Sequence, residues 1–522
     1  MEKKKKNEKK FEEVLWDSAN DLRGSVESSE YKHVVLSLIF LKFANDKFNV
    51  VRNNLIEEGK EQYIEMEPFY TKERVFYVPE ESRWEYILKN AKQPNIALLV
   101  DTALSRLEEN NDSLKGALPD NYYSRLSLES GNLASLIDNI NNLNTIKDQD
   151  EDIIGRVYEY FLKKFALKEG KGKGEFYTPK TVVALIAELI QPYKGKIYDP
   201  ACGSGGMFVQ SIKFVEAHHG NTKDVSIYGQ EKSSTTYKLA KMNLAIRGIL
   251  ANLGEKAENT FTQDQHKDLK ADFVMANPPF NQKKWRKDEE LVDDERWLGY
   301  DVPPTGNANY AWILNILSKL GVNGVAGFLL ANGSLSGGGT EYEIRKKLIE
   351  NRLIDAILYL PRNLFYTTDI GVSLWIISNN KKNQIIEIEN EKIKLRNRLD
   401  EILFVDLRQW GVSFEKKYIE FSQKNITNIS TTYHNWQSFL NYKDYKNIPE
   451  YCYSANIKEV RSRNYSLVPS EYIEFTNKDA NIDFKKTMFK LTKKLQSLLI
   501  QEEQSKEELL DVLKEIGYEI NL

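Results

Sequence analysis

Hydrophobic positions divide the chain into a long N-terminal region with a helical repeat and a central region of shorter apolar runs. Apolar residues recur every three or four positions through much of residues 11–145, as at Val34 and Leu38. The same spacing returns over residues 153–165. The repeat predicts an N-terminal helical domain over residues 11–150.

From about residue 170, short apolar runs alternate with amphipathic stretches. This alternation predicts strands joined by helices, as in a parallel, doubly wound α/β sheet. The predicted helices are residues 207–218, 233–247 and 341–350. The predicted strands are residues 196–199, 225–229, 272–276, 325–331, 354–360, 372–378, 385–395 and 401–407. We therefore expect an α/β fold with a Rossmann-like sheet over residues 151–415.

The last hundred residues are less regular. Residues 416–480 are rich in Tyr and Asn and have weak periodicity, so they are assigned only as an uncertain connecting region. Residues 481–522 carry a charged apolar repeat that begins at Phe484 and predicts a helical C-terminal extension. One long helix or two helices fit this repeat, packed either on their own domain or against another subunit.

Composition narrows the class of protein. The 522 residues include 73 Lys and Arg against 76 Asp and Glu, a formal net charge of -3, which argues against nucleic-acid binding by bulk charge alone. Two cysteines and five histidines show neither a disulfide framework nor metal-ligand spacing, so we expect a reduced, cytoplasmic protein without a metal site. No apolar run reaches the roughly 18 residues of a membrane span. Residues 1–10 are basic and predict a solvated tail.

The first candidate for ligand binding is a glycine-rich turn, DPACGSGG, which runs from Asp199 to Gly206 between a predicted strand and a predicted helix. Glycines let the backbone approach a ligand, and the free N–H groups of a helix N-terminus favour a carboxylate. Taken alone, an ordinary tight turn fits about as well. The spacing matches neither the dinucleotide fingerprint nor a P-loop. No histidine is near Cys202 in sequence, so this cysteine is interpreted as a packing residue.

Two carboxylates occupy the following connections. Glu231 comes just after strand 225–229, where an acidic residue can bind both hydroxyls of a ribose. Asp264 precedes strand 272–276 and could accept a hydrogen bond from an adenine amine. A solvated loop carboxylate and a turn cap are the alternatives, but their position after the glycine turn favours ligand binding.

The fourth signal is the tetrapeptide Asn277-Pro278-Pro279-Phe280 at the end of strand 272–276. Two prolines hold the backbone rigid and remove two N–H donors. The Asn277 side-chain oxygen and the Pro278 carbonyl could then both accept hydrogen bonds from one planar NH₂ group. An amine held in this way can attack a methyl sulfonium directly, with catalysis by positioning and oriented dipoles. Phe280 would stack on the flat base, which must be flipped out of a duplex.

Together, in this order and within about 80 residues, these motifs resemble the amino-methyltransferases whose cofactor motif precedes the catalytic motif. The chain resembles in particular the modification (M) subunit of type I restriction-modification systems, over residues 11–380. The resemblance also rests on EFYTP at 175–179, on LW and LRG within residues 15–24, on EYKHVVL and IFLK within residues 30–42, and on GNANYAW at 306–312.

This resemblance implies a fold, an activity and partners. Residues 151–415 would be an S-adenosylmethionine-dependent methyltransferase domain that methylates N6 of adenine in double-stranded DNA. Residues 481–522 would contact a subunit of a complex that contains a second M subunit, a specificity (S) subunit that reads the DNA sequence and, in some complexes, restriction (R) subunits. If the S subunit recognises the DNA sequence, the near-neutral charge of this chain is compatible with a DNA substrate.

The resemblance also implies the site residues. The catalytic residues would be Asn277, Pro278, Pro279 and Phe280. The residues around S-adenosylmethionine would be Glu175, Phe176, Tyr177, Thr178, Pro179, Lys180, Asp199, Ala201, Gly203, Ser204, Gly205, Gly206, Glu231 and Asp264.

Three alternatives stay open from the sequence. Protein glutamine methyltransferases use a similar motif, but usually with Tyr at the last position and with a smaller helical domain. N4-cytosine methyltransferases more often have Ser at the position of Asn277. A non-catalytic, cofactor-binding assembly subunit would not need the intact tetrapeptide.

The segment 281–309 follows the catalytic tetrapeptide and is polar, with Lys283, Lys284, Arg286 and Lys287 beside Trp285. We predict that it orders over DNA. An ordinary long surface loop is the alternative.

Overall fold

The computed structural model describes residues 16, 28–73, 75–126, 128–142, 159–164, 178–366, 368–388, 391–414, 418–475 and 484–515. The chain divides into two compact units, Met1–Ile473 and Glu474–Leu522. Throughout these ranges, every helix is too short or too polar to cross a bilayer.

The N-terminal region is helical, as predicted. Its helices are α1 (Ser28–Glu57), α2 (Glu67–Lys72), α3 (Trp84–Asn90), α4 (Ile96–Glu109) and α5 (Ser130–Asn141). Val34 and Leu38 are fully buried, and they lie with Phe161 in one apolar core. The core also includes Leu239 and Met242 from the next domain, so the two regions share packing.

A nine-stranded sheet forms the central domain, in the order β13-β10-β6-β7-β5-β4-β1-β2-β3. Its strands are β1 (Gly195–Asp199), β2 (Val225–Gly229), β3 (Ala251–Asn252), β4 (Ala271–Ala276), β5 (Leu320–Ala331), β6 (Ile354–Tyr359), β7 (Val372–Ser378), β10 (Glu401–Asp406) and β13 (Cys452–Asn456). Two strand pairs lie outside this sheet: β8 (Gln384–Ile388) with β9 (Glu391–Leu395), and β11 (Val412–Phe414) with β12 (Tyr418–Glu420).

The sheet is mostly parallel, but β7 runs antiparallel to both β5 and β6, and β13 runs antiparallel to β10. A purely parallel sheet was therefore too simple a prediction. Parallel neighbours need a crossover, usually a helix, whereas residues 360–366 and 368–371, between β6 and β7, contain none. After β6 the chain reverses direction, and β7 lies between β6 and β5.

Helices cover both faces of the sheet. They are α6 (Lys180–Ile190), α7 (Gly206–Ala217), α8 (Ser234–Ile246), α9 (Asn309–Lys319), α10 (Thr340–Glu350), α11 (Gln423–Gln437) and α12 (Ile457–Ser462). The apolar face of α6 packs with Met275 and Leu329 in one core, while α9 packs with Val274 and Phe328 in another. Because β1, β2, β4 and β5 are parallel, their carboxyl ends share one edge.

The C-terminal part differs most from the sequence pattern. Residues 385–395, predicted as one strand, belong to the β8–β9 hairpin. The region without an assignment supplies β13 to the sheet edge and α11 to one sheet face, where Trp436 is fully buried. In the second compact unit, residues 484–515 form one helix, α13 (Phe484–Glu515).

Candidate active site

The glycine-rich turn joins the carboxyl end of β1 to the first residue of α7. Gly203 and Gly205 have φ angles of +54° and +79°, in the left-handed region that favours glycine. A Cβ on Gly205 would be in ordinary van der Waals contact with Leu244, at 3.4 Å. A Cβ on Gly203 or Gly206 would meet no described residue within 4 Å. The described part of the chain therefore leaves open space beside the bare backbone of the turn, as the close approach of a ligand requires.

Two carboxylates border this turn. Asp199 is 1% exposed, and one of its oxygens accepts a hydrogen bond from the Ala201 backbone N–H at 3.0 Å. Glu231 accepts bonds from the Gly203 N–H at 3.0 Å and the Ser233 N–H at 2.8 Å. The sheet thus brings together residues from the ends of β1 and β2 that the sequence separates by one α/β unit.

Burial determines the ionisation of this turn. It raises the pKa of Asp199 to about 8, with the nearby charge of Glu231 acting in the same direction and the Ala201 hydrogen bond opposing it. Burial, with Asp199 and Glu231 close by, also raises the pKa of the Cys202 thiol. The thiol therefore stays protonated at neutral pH, consistent with a packing role. Without a ligand Asp199 is therefore mostly protonated at neutral pH, and a bound ammonium group would favour its charged form.

The tetrapeptide 277–280 begins where β4 ends, beside the last residues of β5. Asn277 is 8% exposed, and its amide nitrogen donates a 2.8 Å hydrogen bond to the Thr178 hydroxyl oxygen, 99 positions away in sequence. The side-chain oxygen of Asn277 is buried and has no hydrogen-bond partner among the residues that the structure describes. A buried acceptor without a partner is costly, so this atom is suited to an incoming donor such as an amine.

The other residues of the tetrapeptide support this loop. Pro278 is buried and Pro279 half-buried. Phe280 is 8% exposed and meets Phe365 edge-on, with ring centroids 6.1 Å apart. The next residue, Asn281, has φ +52° and exchanges hydrogen bonds with the side chain of Asn309. Stacking of Phe280 on a base stays a prediction.

Asp264 has other partners than the predicted adenine. One of its oxygens lies 2.6 Å from the ammonium of Lys319, which is 3% exposed, and the other accepts the His266 N–H at 2.8 Å. An ion pair in which the lysine is this deeply buried resists exchange for a neutral amine. The adenine contact of Asp264 therefore stays a prediction that competes with this pair.

The remaining predicted cofactor residues differ in placement. Glu175, Phe176 and Tyr177 lie outside the described residues. Pro179 is buried directly before α6, and Lys180 begins that helix with its ammonium 3.6 Å from the carboxylate of Glu159. The Ser204 carbonyl accepts a 2.7 Å bond from Asn243 of α8.

Segment 281–309 is folded in the structure, and its ordering over DNA stays a prediction. Trp285 and Trp297 are 3% and 2% exposed, and their ring centroids lie 6.0 Å apart. Arg296 donates to the carbonyl oxygens of Thr260 and Phe261 at 3.0 and 2.6 Å. Both tryptophans pack into the same apolar core as β4 and α9, with the ring centroid of Trp285 4.6 Å from that of Phe261.

Several supporting residues were not found from the sequence. Asn243, Asn309 and Lys319 are single polar residues within or beside helices, and nothing in their spacing distinguishes them from solvent-facing positions. Their function depends on partners far away in sequence, which only the folded chain brings close.

Comparison with known proteins agrees with this geometry. Residues 149–481 match the family model of N-6 DNA methylases, and residues 11–140 match the HsdM N-terminal domain. The type I restriction enzyme MjaIX methylase subunit of Methanocaldococcus jannaschii is 35% identical, over 97% of this chain and 92% of that protein. The HindI methylase subunit of Haemophilus influenzae is 39% identical, over 82% of this chain and 94% of that protein.

A solved structure gives the same fold. The methyltransferase subunit of a type I restriction-modification system from Streptococcus thermophilus has a TM-score of 0.73 and 20% identity, over 89% of this chain and 99% of that one. The family match favours DNA adenine as the substrate over a protein glutamine, over N4 of cytosine, and over a non-catalytic role. The chain therefore belongs to the N-6 DNA methylases, among the methylase subunits of type I restriction enzymes.

Proposed function

We propose that this chain transfers the methyl group of S-adenosylmethionine to N6 of a flipped-out adenine in double-stranded DNA. The observation that carries the proposal is the Asn277 side-chain oxygen at the end of β4, which is buried and accepts no hydrogen bond from any described residue. Its position at the carboxyl edge, near the glycine turn, is where a parallel α/β sheet binds ligands.

The residues around the turn fit S-adenosylmethionine. Bare backbone at Gly203 and Gly206 leaves room for the methionine end, and Asp199 offers a carboxylate to its ammonium group. Glu231 is placed at the end of β2 for the ribose hydroxyls. When bound there, the cofactor supplies an electrophilic methyl group on a positively charged sulfur.

The chain's own groups prepare the amine. Thr178 holds the amide nitrogen of Asn277, so the amide oxygen faces the place of the target NH₂. Pro278 lacks an N–H, and the Asn277 oxygen with the Pro278 carbonyl would accept both amine hydrogens. Two fixed acceptors draw the amine away from the plane of the base and expose its lone pair. Catalysis then consists of positioning and requires no covalent enzyme intermediate.

The partners we propose are a second M subunit, an S subunit and, where the system cleaves DNA, R subunits. Support comes from α13, which has exposed apolar side chains at Met488, Leu491, Leu495 and Leu498. The spacing of three, four and three residues is that of a coiled-coil seam. Because sequence reading would lie on the S subunit, the near-neutral charge of this chain is not in conflict with a DNA substrate.

The proposal is tested by changing Asn277 to Ala in the complex with its S subunit. Removal of the side-chain acceptor should lower methyl transfer to DNA by at least about a hundredfold, the scale found for oxyanion-type groups. Cofactor binding, measured by calorimetry, should stay within about twofold of the parent because the residue contacts the amine and not the cofactor. Methyl transfer that survives the change would overturn the catalytic assignment.

A further inference from the structure

A short helical stretch, residues 159–164, contacts groups on both sides of the active site. Phe161 is fully buried in the core of the N-terminal helical domain, with its ring centroid 5.4 Å from that of Trp16. This anchor fixes the stretch from one side. Glu159 and Lys163 are four positions apart, and so they project from one helical face.

Glu159 forms ion pairs with three positively charged side chains, each on or just after a different helix around the glycine turn. Its carboxylate lies 3.0 Å from Lys213 of α7, 3.3 Å from Arg247 just after α8 and 3.6 Å from Lys180 of α6. Burial alone would raise the pKa of Glu159, but these cations outweigh it and hold the pKa below its usual range. The carboxylate is therefore charged at neutral pH, and it ties three helices together.

One of these contacts continues to the turn. Arg247 donates to the side-chain oxygen of Asn243, which is 2% exposed. The amide nitrogen of Asn243 donates a 2.7 Å bond to the carbonyl oxygen of Ser204. Glu159 also pairs with Lys180, which lies two positions after Thr178 in the sequence. The charge of Glu159 is thus connected through Arg247 and Asn243 to the glycine turn, and through Lys180 to the helix that follows Thr178.

Lys163 is connected to the other half of the site. Its ammonium lies 2.7 Å from an oxygen of Glu420 in β12, and 3.7 Å from the ring centroid of Phe414. The hydroxyl of Tyr366 donates to the same Glu420 oxygen at 2.5 Å. Tyr366 follows Phe365, the residue that meets Phe280 edge-on. This network supports the side of the site where the target base would stack.

We propose that residues 159–164 are a positioning element, in which Glu159 sets the cofactor turn and Lys163 sets the aromatic side of the base pocket. Neither residue touches a reacting atom, and the inference rests on the function proposed above. One network begins at Glu159 and the other at Lys163. A substitution at either residue therefore removes one network and leaves the other intact.

The test measures steady-state methylation by the complex with its S subunit, varying S-adenosylmethionine and DNA separately. Glu159→Gln should raise the KM for S-adenosylmethionine about tenfold, which is the lower end of the range expected when a hydrogen bond to a charged group is lost. The kcat and the KM for DNA should stay within about twofold of the parent values. Lys163→Met should lower kcat or raise the KM for DNA, with an unchanged Kd for S-adenosylmethionine. Glu350→Gln is the matched control, because that carboxylate pairs with Arg461 at 2.6 Å on an exposed surface.

Two further variants separate positioning from folding. Glu159→Asp keeps the charge and should recover part of the cofactor affinity, whereas a merely structural role predicts no recovery. Asn243→Ala should reproduce the cofactor defect, and its effect should be non-additive with Glu159→Gln.

Equal changes of both KM values in the Glu159 and Lys163 variants, in proportion to lost thermal stability, would overturn the inference. If the parent complex methylates no DNA, the proposed function fails. Calorimetric titration of the parent and Glu159→Gln proteins with S-adenosylmethionine still tests the inference in that case.

Discussion

The hydrogen bond between Asn277 and Thr178 makes a specific kinetic prediction. Thr178→Val keeps the shape of the side chain but removes the oxygen that accepts the Asn277 amide nitrogen at 2.8 Å. Without it, the amide can rotate and turn its nitrogen, which cannot accept a hydrogen bond, toward the target amine. The site then loses both an acceptor and the preorganisation of that acceptor.

The size of the effect follows from that single bond. A neutral intramolecular hydrogen bond contributes about 1 kcal/mol, which corresponds to about fivefold in rate when it acts only in the transition state. We therefore expect kcat at saturating S-adenosylmethionine to fall about fivefold in Thr178→Val. Thr178→Ser keeps the hydroxyl and should retain most of the parent rate.

The assay is a single-turnover methyl transfer at saturating cofactor and DNA. Saturation removes any effect of Thr178 on cofactor affinity, so only the chemical step is compared. A Thr178→Val protein with the rate constant of the parent would refute the idea that this contact orients Asn277. So would a Thr178→Ser protein as slow as Thr178→Val.

Three other predictions concern ionisation, the glycine turn and the buried charges. Because burial raises the pKa of Asp199 to about 8, affinity for S-adenosylmethionine should rise as pH increases towards about 8, above which the cofactor's own α-ammonium group loses its proton, and Asp199→Asn should flatten this rise in calorimetry. The raised pKa also means that the ligand-free protein loses stability as pH rises from 3.8 towards about 8, and thermal melting of the same variant should lack this slope. Gly206→Ala should leave the melting temperature without cofactor unchanged or higher, because its Cβ meets no described residue within 4 Å, yet should weaken cofactor binding; unchanged affinity would show that the cofactor does not occupy the space beside Gly206. Asp355 is fully buried beside Arg398 at 3.2 Å, so Asp355→Asn should lower the free energy of unfolding by about 3 kcal/mol in urea titrations, and a loss near zero would contradict its role in balancing that arginine.

The sequence predicts the parallel core of the sheet well because short apolar runs alternate there with amphipathic helices. The ends of β1, β2 and β4 carry the glycine turn, Glu231 and Asn277, so the topology rule for parallel sheets places them at one edge. The antiparallel entry of β7 could not be read from periodicity, because a buried strand has the same apolar pattern in either direction.

Other features depend on contacts between distant residues. Helix α11 has Asn, Thr and Tyr along much of its length, and only its packing in the folded chain buries Tyr433 and Trp436. The adenine contact of Asp264 stays a prediction, and its ion pair with Lys319 joins residues 55 positions apart that no sequence pattern connects. Segment 281–309 looked polar because its tryptophans are spread along the chain and meet only after folding.

The most direct test of the central claim is transfer of labelled methyl from S-adenosylmethionine to unmodified duplex DNA, by this chain alone and with its S subunit. The DNA is then digested to nucleosides and the labelled base identified. We predict label in N6-methyladenine, and only when the S subunit is present. Label with this chain alone would keep the chemistry but remove the need for a reading partner. Label in cytosine or in protein, or no label in DNA with either preparation, would contradict the account.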